Sequence, residues 1–311
     1  FLAAVKNEEI EAPVEEAIRE NLVEVAPKAG KIKKVTTNQI LGTTEWTLSN
    51  GVRVVIKPTE FKQDEILFSA FSKGGQSLVA TEDLVSAALA TDVISVSGIA
   101  DMTMTDLQKA LTGKNISLSP SINANTESIE GGTTVKDLET LLQLNYLYFT
   151  APRRDENAYA MLMSVLESQL ANRDKNPKVA FSDSVSMMAN NYSPRTVIFN
   201  QEALTHVDLD KSLEIYKARF ANPADFIFTF VGNVNPDDEA FQQLVCTWLG
   251  SLKTSKKKEA VRDNGDRVPE GINKNYFSRR METKTASNRI QYTPYDIPYT
   301  LANELNMEMI G

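Results

Sequence analysis

Apolar and polar positions divide the chain into stretches of different period. Across residues 6–25, Val14, Ile18, Leu22 and Val25 recur at roughly helical spacing among Glu and other helix formers. This spacing predicts a surface helix that Pro27 and Gly30 end. The basic stretch Lys31-Ile32-Lys33-Lys34 reads as a connector. Two short β-rich runs follow at 46–48 and 52–56, with Asn50-Gly51 between them. Both residues tolerate positive φ, so the pair marks a hairpin. A third strand is expected at 66–71, ended by Lys73-Gly74-Gly75.

The next pattern is helical. Leu84, Ala88, Leu89, Val93 and Ile94 place a helix over 83–97. Another is expected to begin at Thr105, where Thr105 and Gln108 make a capping-box pattern. Residues 116–123 alternate as a half-buried strand does, and 127–135 supply its partner. Helices are then predicted at 138–149, 156–170, 179–190 and 209–220. The most hydrophobic strand is expected at 226–234, and Asp237-Asp238-Glu239 opens a helix that ends near Leu249-Gly250.

Strands, helices, strands, several helices, one strand and one helix make an α+β order. It implies a mostly antiparallel sheet covered on one side by helices. Residues 1–44 are read as an N-terminal helix and linker, and 45–250 as the main α/β domain. Residues 251–271 form a charged linker, and 272–311 begin a second, truncated domain of similar kind. Its first strands are expected at Asn275-Tyr276-Phe277 and Arg289-Ile290-Gln291-Tyr292. The chain starts at Phe1, and residues 301–311 read as an amphipathic helix just beginning to repeat. Both ends are therefore expected to be cut from a longer polypeptide.

Composition narrows the chemistry. Hydrophobic residues make up 42% and charged residues 24% of the 311, as in ordinary globular proteins. The net charge of −8 argues against a nucleic-acid partner, which calls for a basic face. Lys256-Lys257-Lys258 lies beside Glu259 and Asp263 and reads as a solvated loop. Cys246 is the single cysteine, so no intrachain disulfide or thiolate zinc cluster is possible. Its apolar surroundings predict a buried thiol. No run of about 18 apolar residues exists to span a membrane.

Three stretches together resemble the insulinase (pitrilysin-like) family of zinc peptidases, peptidase family M16. Residues 46–55 are similar to its opening L-x-N-G-L-R-V strand pair. Phe220-Ala221-Asn222-Pro223, followed by Val231-Gly232-Asn233-Val234, is similar to its Y-x-P-x-N and V-G-D-V closing strand. Trp248-Leu249-Gly250-Ser251-Leu252 is similar to its F-G-x-L-P domain end. Each is weak alone; their order and separation over residues 45–252 make the combination specific. The resemblance implies the metallopeptidase LuxS/MPP-like fold.

Members of that family carry H-x-x-E-H on the helix after the third strand. The two His hold zinc and the Glu activates water. Laid on the motif, this chain has Ser86 and Ala90 at the histidine positions and Leu89 at the glutamate position. Glu167 fits the place of the family's third ligand, a lone carboxylate without imidazole partners. The chain has one histidine, His206, read as a helix-cap or surface residue, so a two-His site is impossible in any register. The resemblance thus implies no catalytic residue and no metal in this chain, with zinc expected in a partner half.

Other chemistry finds no support. No G-x-S-x-G elbow is present, and Gly74-Gly75 and Gly131-Gly132 lack the Lys-Ser/Thr of a phosphate loop. Asp237, Asp238 and Glu239 sit where a helix N-terminus favours negative charge.

Enzymes of the resembled family close two similar halves around a peptide like a clamshell. The expectation is a non-catalytic half: one wall of the chamber, partnered by a zinc-bearing half on the same polypeptide or a partner subunit, helping to hold peptide substrate. The candidate substrate-facing element is the strand carrying Ile116, Leu118 and Ile122, which as an exposed edge could take an extended peptide by β-addition. Its place inside the sheet is the competing expectation. Two other roles stay open, a zinc-less structural scaffold subunit and a stand-alone peptide-binding module. The family match suggests the periplasm, with the cytoplasm also possible.

Overall fold

In the computed structural model, residues 19–279, 285–293, 297–298 and 300–310 are described. Seven strands form one sheet: β1 Ile32–Asn38, β2 Thr43–Leu48, β3 Arg53–Pro58, β4 Ile66–Lys73, β5 Ile116–Ile122, β6 Thr126–Thr133 and β7 Ile227–Gly232. Their spatial order is β1-β2-β3-β7-β4-β6-β5. All pairs are antiparallel except β3 with β7. The last strand in sequence thus takes the centre of the sheet.

The sheet is one-sided. In β4, Ile66, Phe68 and Ala70 are buried, whereas Leu67 and Phe71 on the opposite face are exposed. In β7, Phe228 and Phe230 turn inward; Phe68 sits 5.1 Å from Phe230 and Phe149 5.8 Å from Phe228, ring centre to ring centre. Period-2 alternation on a half-covered sheet produces this division.

Helices cover the inner face. The helices are α1 Leu84–Ser97, α2 Met104–Ala110, α3 Leu138–Thr150, α4 Glu156–Leu170, α5 Pro177–Ala189, the short α6 Gln201–Leu204, α7 Leu209–Arg219, α8 Glu239–Trp248 and α9 Leu301–Ile310, of which the largely exposed α9 is not part of this layer. α1 packs against α7, α4 and β5 at once. Its composition suits that place, because Leu, Val, Ile and Ala occur on several sides of it and the exposed polar residues, Asp92 and Ser95, stand in its second half.

The Asn50-Gly51 hairpin forms as expected. Gly51 has φ +90°, and the Asn50 amide donates to the carbonyls of Leu249 (2.9 Å) and Leu252 (3.0 Å). The turn that starts the domain therefore anchors the segment that ends it.

Several boundaries differ from expectation. Residues 1–18 of the predicted N-terminal helix lie outside the described residues. Residues 19–25 are not helical. There the Gln143 side-chain oxygen accepts from the N–H groups of both Leu22 (2.8 Å) and Val23 (3.1 Å), fixing a bend, and Leu22 is buried. The basic connector is the beginning of β1. Ile32 pairs with Leu48, and Gly30 approaches Gly250 so closely that a Cβ would lie 2.6 Å from its carbonyl oxygen. The capping box lies two residues earlier than read: Asp106 N–H donates to Thr103 Oγ1 (3.2 Å), and Thr103 N–H donates to Asp106 Oδ2 (3.1 Å). The strands expected near Asn275 and Arg289 are absent among the described residues of that region, which are coil.

Candidate functional site

The three motif positions of α1 face three different neighbours. Ser86 points at the start of α7. The Asp208 N–H donates to Ser86 Oγ at 3.0 Å, and the Ser212 hydroxyl donates to the Ser86 carbonyl at 3.1 Å. Leu89 lies in a satellite apolar cluster with Val93, Leu204, Val207 and Leu209, against which Leu162 and Leu166 of α4 pack. Ala90 is fully buried in the main core. Where two imidazoles and a carboxylate would have to converge, this chain has a hydroxyl tied to backbone, a leucine in an apolar cluster and a methyl group in the core.

Glu167 is exposed on α4, while its neighbour Leu166 turns towards α1. It faces solvent rather than the motif positions. His206 is exposed, its N–H donating to the Ala203 carbonyl at 3.0 Å. It precedes the cap of α7, where Asp208 Oδ1 accepts from Lys211 N–H at 2.7 Å. Among the described residues, no group of three or more His, Cys, Asp or Glu is placed to hold a metal ion. Cys246 is buried, and burial pushes its thiol pKa up.

β5 is an edge strand of the sheet. Leu118 and Ile122 are buried on the helix side and Ile116 is half-buried, so these side chains anchor the strand while Ser117 and Ser119 are exposed. Asn123 N–H donates to Thr126 O at 2.7 Å, so odd-numbered amides face β6 and even-numbered ones face outward. Along that outward edge Pro120 has no N–H. The Leu118 carbonyl accepts from Tyr148 Oη (3.4 Å) and the Ile122 carbonyl from Gln76 Nε2 (3.3 Å). The main chain left open to an incoming strand lies chiefly at the Ile116 end. Burial raises the Tyr148 hydroxyl pKa to about 12, so it stays protonated as that donor.

A buried polar cluster, not singled out from the sequence, lies where β4, β6 and the end of α7 meet. Glu127 is 1% exposed and accepts from Gly75 N–H at 2.6 Å. Burial raises its pKa, against the pull of that hydrogen bond and of the Arg219 charge. Arg219 makes a two-pronged pair with Glu259 at 2.8 and 3.3 Å. Gly74, with φ +141°, leaves room for this group, since a Cβ there would lie 3.0 Å from the Arg219 guanidinium. A Glu inside a strand pattern was the available signal, but its partners lie on remote segments.

The chain is an α+β domain in which, among the described residues, the helix after β4 takes part in no group of three or more potential metal ligands. No family model matches the chain. It is 29% identical over 243 residues to a zinc protease PQQL-like protein of Arabidopsis thaliana, and 24% identical over 234 residues to the probable zinc protease PqqL of Escherichia coli. These alignments cover 76% and 75% of the chain but 22% and 24% of the relatives, so the chain spans about a quarter of their length. The crystal structure of the periplasmic protease PqqL from Escherichia coli shares the fold with a TM-score of 0.68 at 23% identity, over 85% of this chain and 29% of that one. A peptidase M16 inactive domain from Pseudomonas fluorescens matches with a TM-score of 0.56 at 14% identity, over 69% of this chain and 52% of that one. Together these likenesses show that the chain shares its fold with the peptidase structures it matches and is similar in sequence to two proteins named as zinc proteases.

Proposed function

We propose that this domain is the zinc-free wall of a peptidase chamber, set opposite a zinc-bearing half on the same polypeptide or on a partner subunit. The observation that carries the reading is the fate of the motif helix. In a chain similar to zinc proteases, the three α1 positions laid on the zinc motif are committed to packing or to helix–helix hydrogen bonding, and Glu167 faces solvent. The domain's contribution is to enclose and position a peptide while the other half supplies the metal. The likeness to a periplasmic protease supports the periplasm as its compartment.

Peptide contact on this wall is assigned to β5, at its Ile116 end and along the exposed face carrying Ser117 and Ser119. Deleting residues 32–267 from a polypeptide or complex that contains an H-x-x-E-H half tests the proposal. The expected result is zinc retained and cleavage lost; undiminished cleavage overturns it. One observation favours the scaffold reading instead: Pro120, Tyr148 and Gln76 occupy much of the outer edge of β5. Unchanged cleavage together with loss of an assembled complex is the result that reading requires.

A further inference from the structure

Residues 251–271 have the composition of a flexible joint, but most of the segment is tied down. Leu252 is buried and Thr254 Oγ1 donates to the Asn50 carbonyl at 2.6 Å. Ser255 N–H donates to Asn222 Oδ1 (2.9 Å), and the Asn222 amide returns a bond to the Lys257 carbonyl (2.8 Å). Glu259 takes the Arg219 guanidinium. Arg262 N–H donates to Ser77 Oγ (3.0 Å), and Asn264 Nδ2 donates to the Ser77 carbonyl (2.9 Å). Asp266 accepts from the Ser193 hydroxyl and lies 3.6 Å from the Arg195 guanidinium. The tie points belong to the β2–β3 turn, the end of α7, the turn after β4 and the loop after α5.

Past this point the ties to the body thin out. Arg267 pairs with Asp263 within the same segment, Gly271 has φ +71°, and residues 271–279 are exposed; there Asn273 Nδ2 donates to the nearby Glu270 carbonyl and Asn275 Nδ2 donates to Ser184 Oγ on the body. We propose that residues 252–266 are a strap belonging to the body of the domain, and that the pivot to whatever follows lies at 268–279 rather than at Ser251. The ionic anchor is Arg219, whose side chain is 7% exposed. Lifting the strap removes the carboxylate bonded to a buried guanidinium and leaves only the attraction of Glu127, a costly state. The strap thus carries the orientation of this domain forward by fifteen residues before the chain can turn freely, whether or not the domain lines a peptidase chamber.

Hydrogen exchange followed by mass spectrometry on the full chain tests this. Peptides from 252–266 are expected to exchange at least about tenfold more slowly than peptides from 272–279. Glu259→Gln is expected to speed exchange across the strap by about tenfold while β4 and β6 keep their rates. Ser77→Ala, on the far side of the strap, should act in the same direction over 261–265 and serves if the first variant fails to fold. Equal exchange of the two segments in the unmodified chain overturns the proposal, as does a strap indifferent to both substitutions.

Discussion

Ser86 Oγ accepts the backbone N–H of Asp208 across 3.0 Å, joining the first turn of α1 to the cap of α7. The position that the resembled motif gives to a zinc-binding histidine therefore serves as a structural tie. Ser86→Ala leaves a backbone donor without its partner and should cost about 1–2 kcal/mol in urea-induced unfolding. A loss below about 0.3 kcal/mol would mean that the tie contributes nothing.

Rebuilding the motif should fail for the same reason. Ala90 has no exposed surface, and Leu89 is 8% exposed within its cluster. Putting imidazole at 90 and carboxylate at 89 overfills the core and buries a charge, so the combined Ser86→His, Leu89→Glu, Ala90→His variant should lose more than about 3 kcal/mol. Thermal unfolding with and without added zinc is the check. A folded, zinc-stabilised variant would contradict the reading of this helix as core.

On α4 the adjacent residues Leu166 and Glu167 should behave oppositely. Leu166→Ala uncovers the apolar cluster against α1 and should cost about 2 kcal/mol, whereas Glu167→Ala should stay within about 0.5 kcal/mol of the parent. Equal losses would place Glu167 in a role that its exposure denies.

Two buried carboxylates predict pH effects of opposite sign. Asp137 accepts from Asn115 N–H (3.0 Å) and the Thr134 hydroxyl (2.9 Å), and the first of these contributes most to a lowered pKa. A lowered folded-state value gives stability that is present above the ordinary Asp pKa of about 3.9 and lost as pH falls through the folded value. Asp137→Ala should therefore cost about 1–2 kcal/mol at neutral pH and progressively less in acid. The pKa of Glu127 is raised, chiefly by burial. Its contribution is full below the ordinary Glu value of about 4.3 and fades as pH rises through the folded value. Glu127→Gln should flatten the fall of melting temperature between that value and neutrality. Parallel melting curves for parent and variant would remove Glu127 from the account.

What the sequence disclosed follows from how local each signal is. β3, β4 and β7 were legible because their apolar runs are short and bounded by turns, and the Asn50-Gly51 turn needs no distant partner. β1 was not. Lys33 and Lys34 stand in it and Val35 is 57% exposed, as suits an edge strand whose charges discourage further pairing. The capping box was displaced because Thr103 and Thr105 offer the same chemistry and only geometry chooses between them. The absence of H-x-x-E-H was plain from residue types alone. What replaced it was not, because Ser86 meets Asp208 across more than a hundred positions of chain. Likewise Glu167 and Leu166 differ by about 100° around a helix, and spacing alone does not say which faces α1. The polar cluster of Glu127, Arg219 and Glu259 is assembled from three separate segments and leaves no local mark.

The mass and peptide map of the natural polypeptide from its source cells test the central claim most directly. The account predicts a product far heavier than the 34.5 kDa of this chain, or a stable partner, with peptides that include H-x-x-E-H. A natural product with no such sequence in itself or in any stable partner would contradict the peptidase role and leave the scaffold or peptide-binding reading in its place.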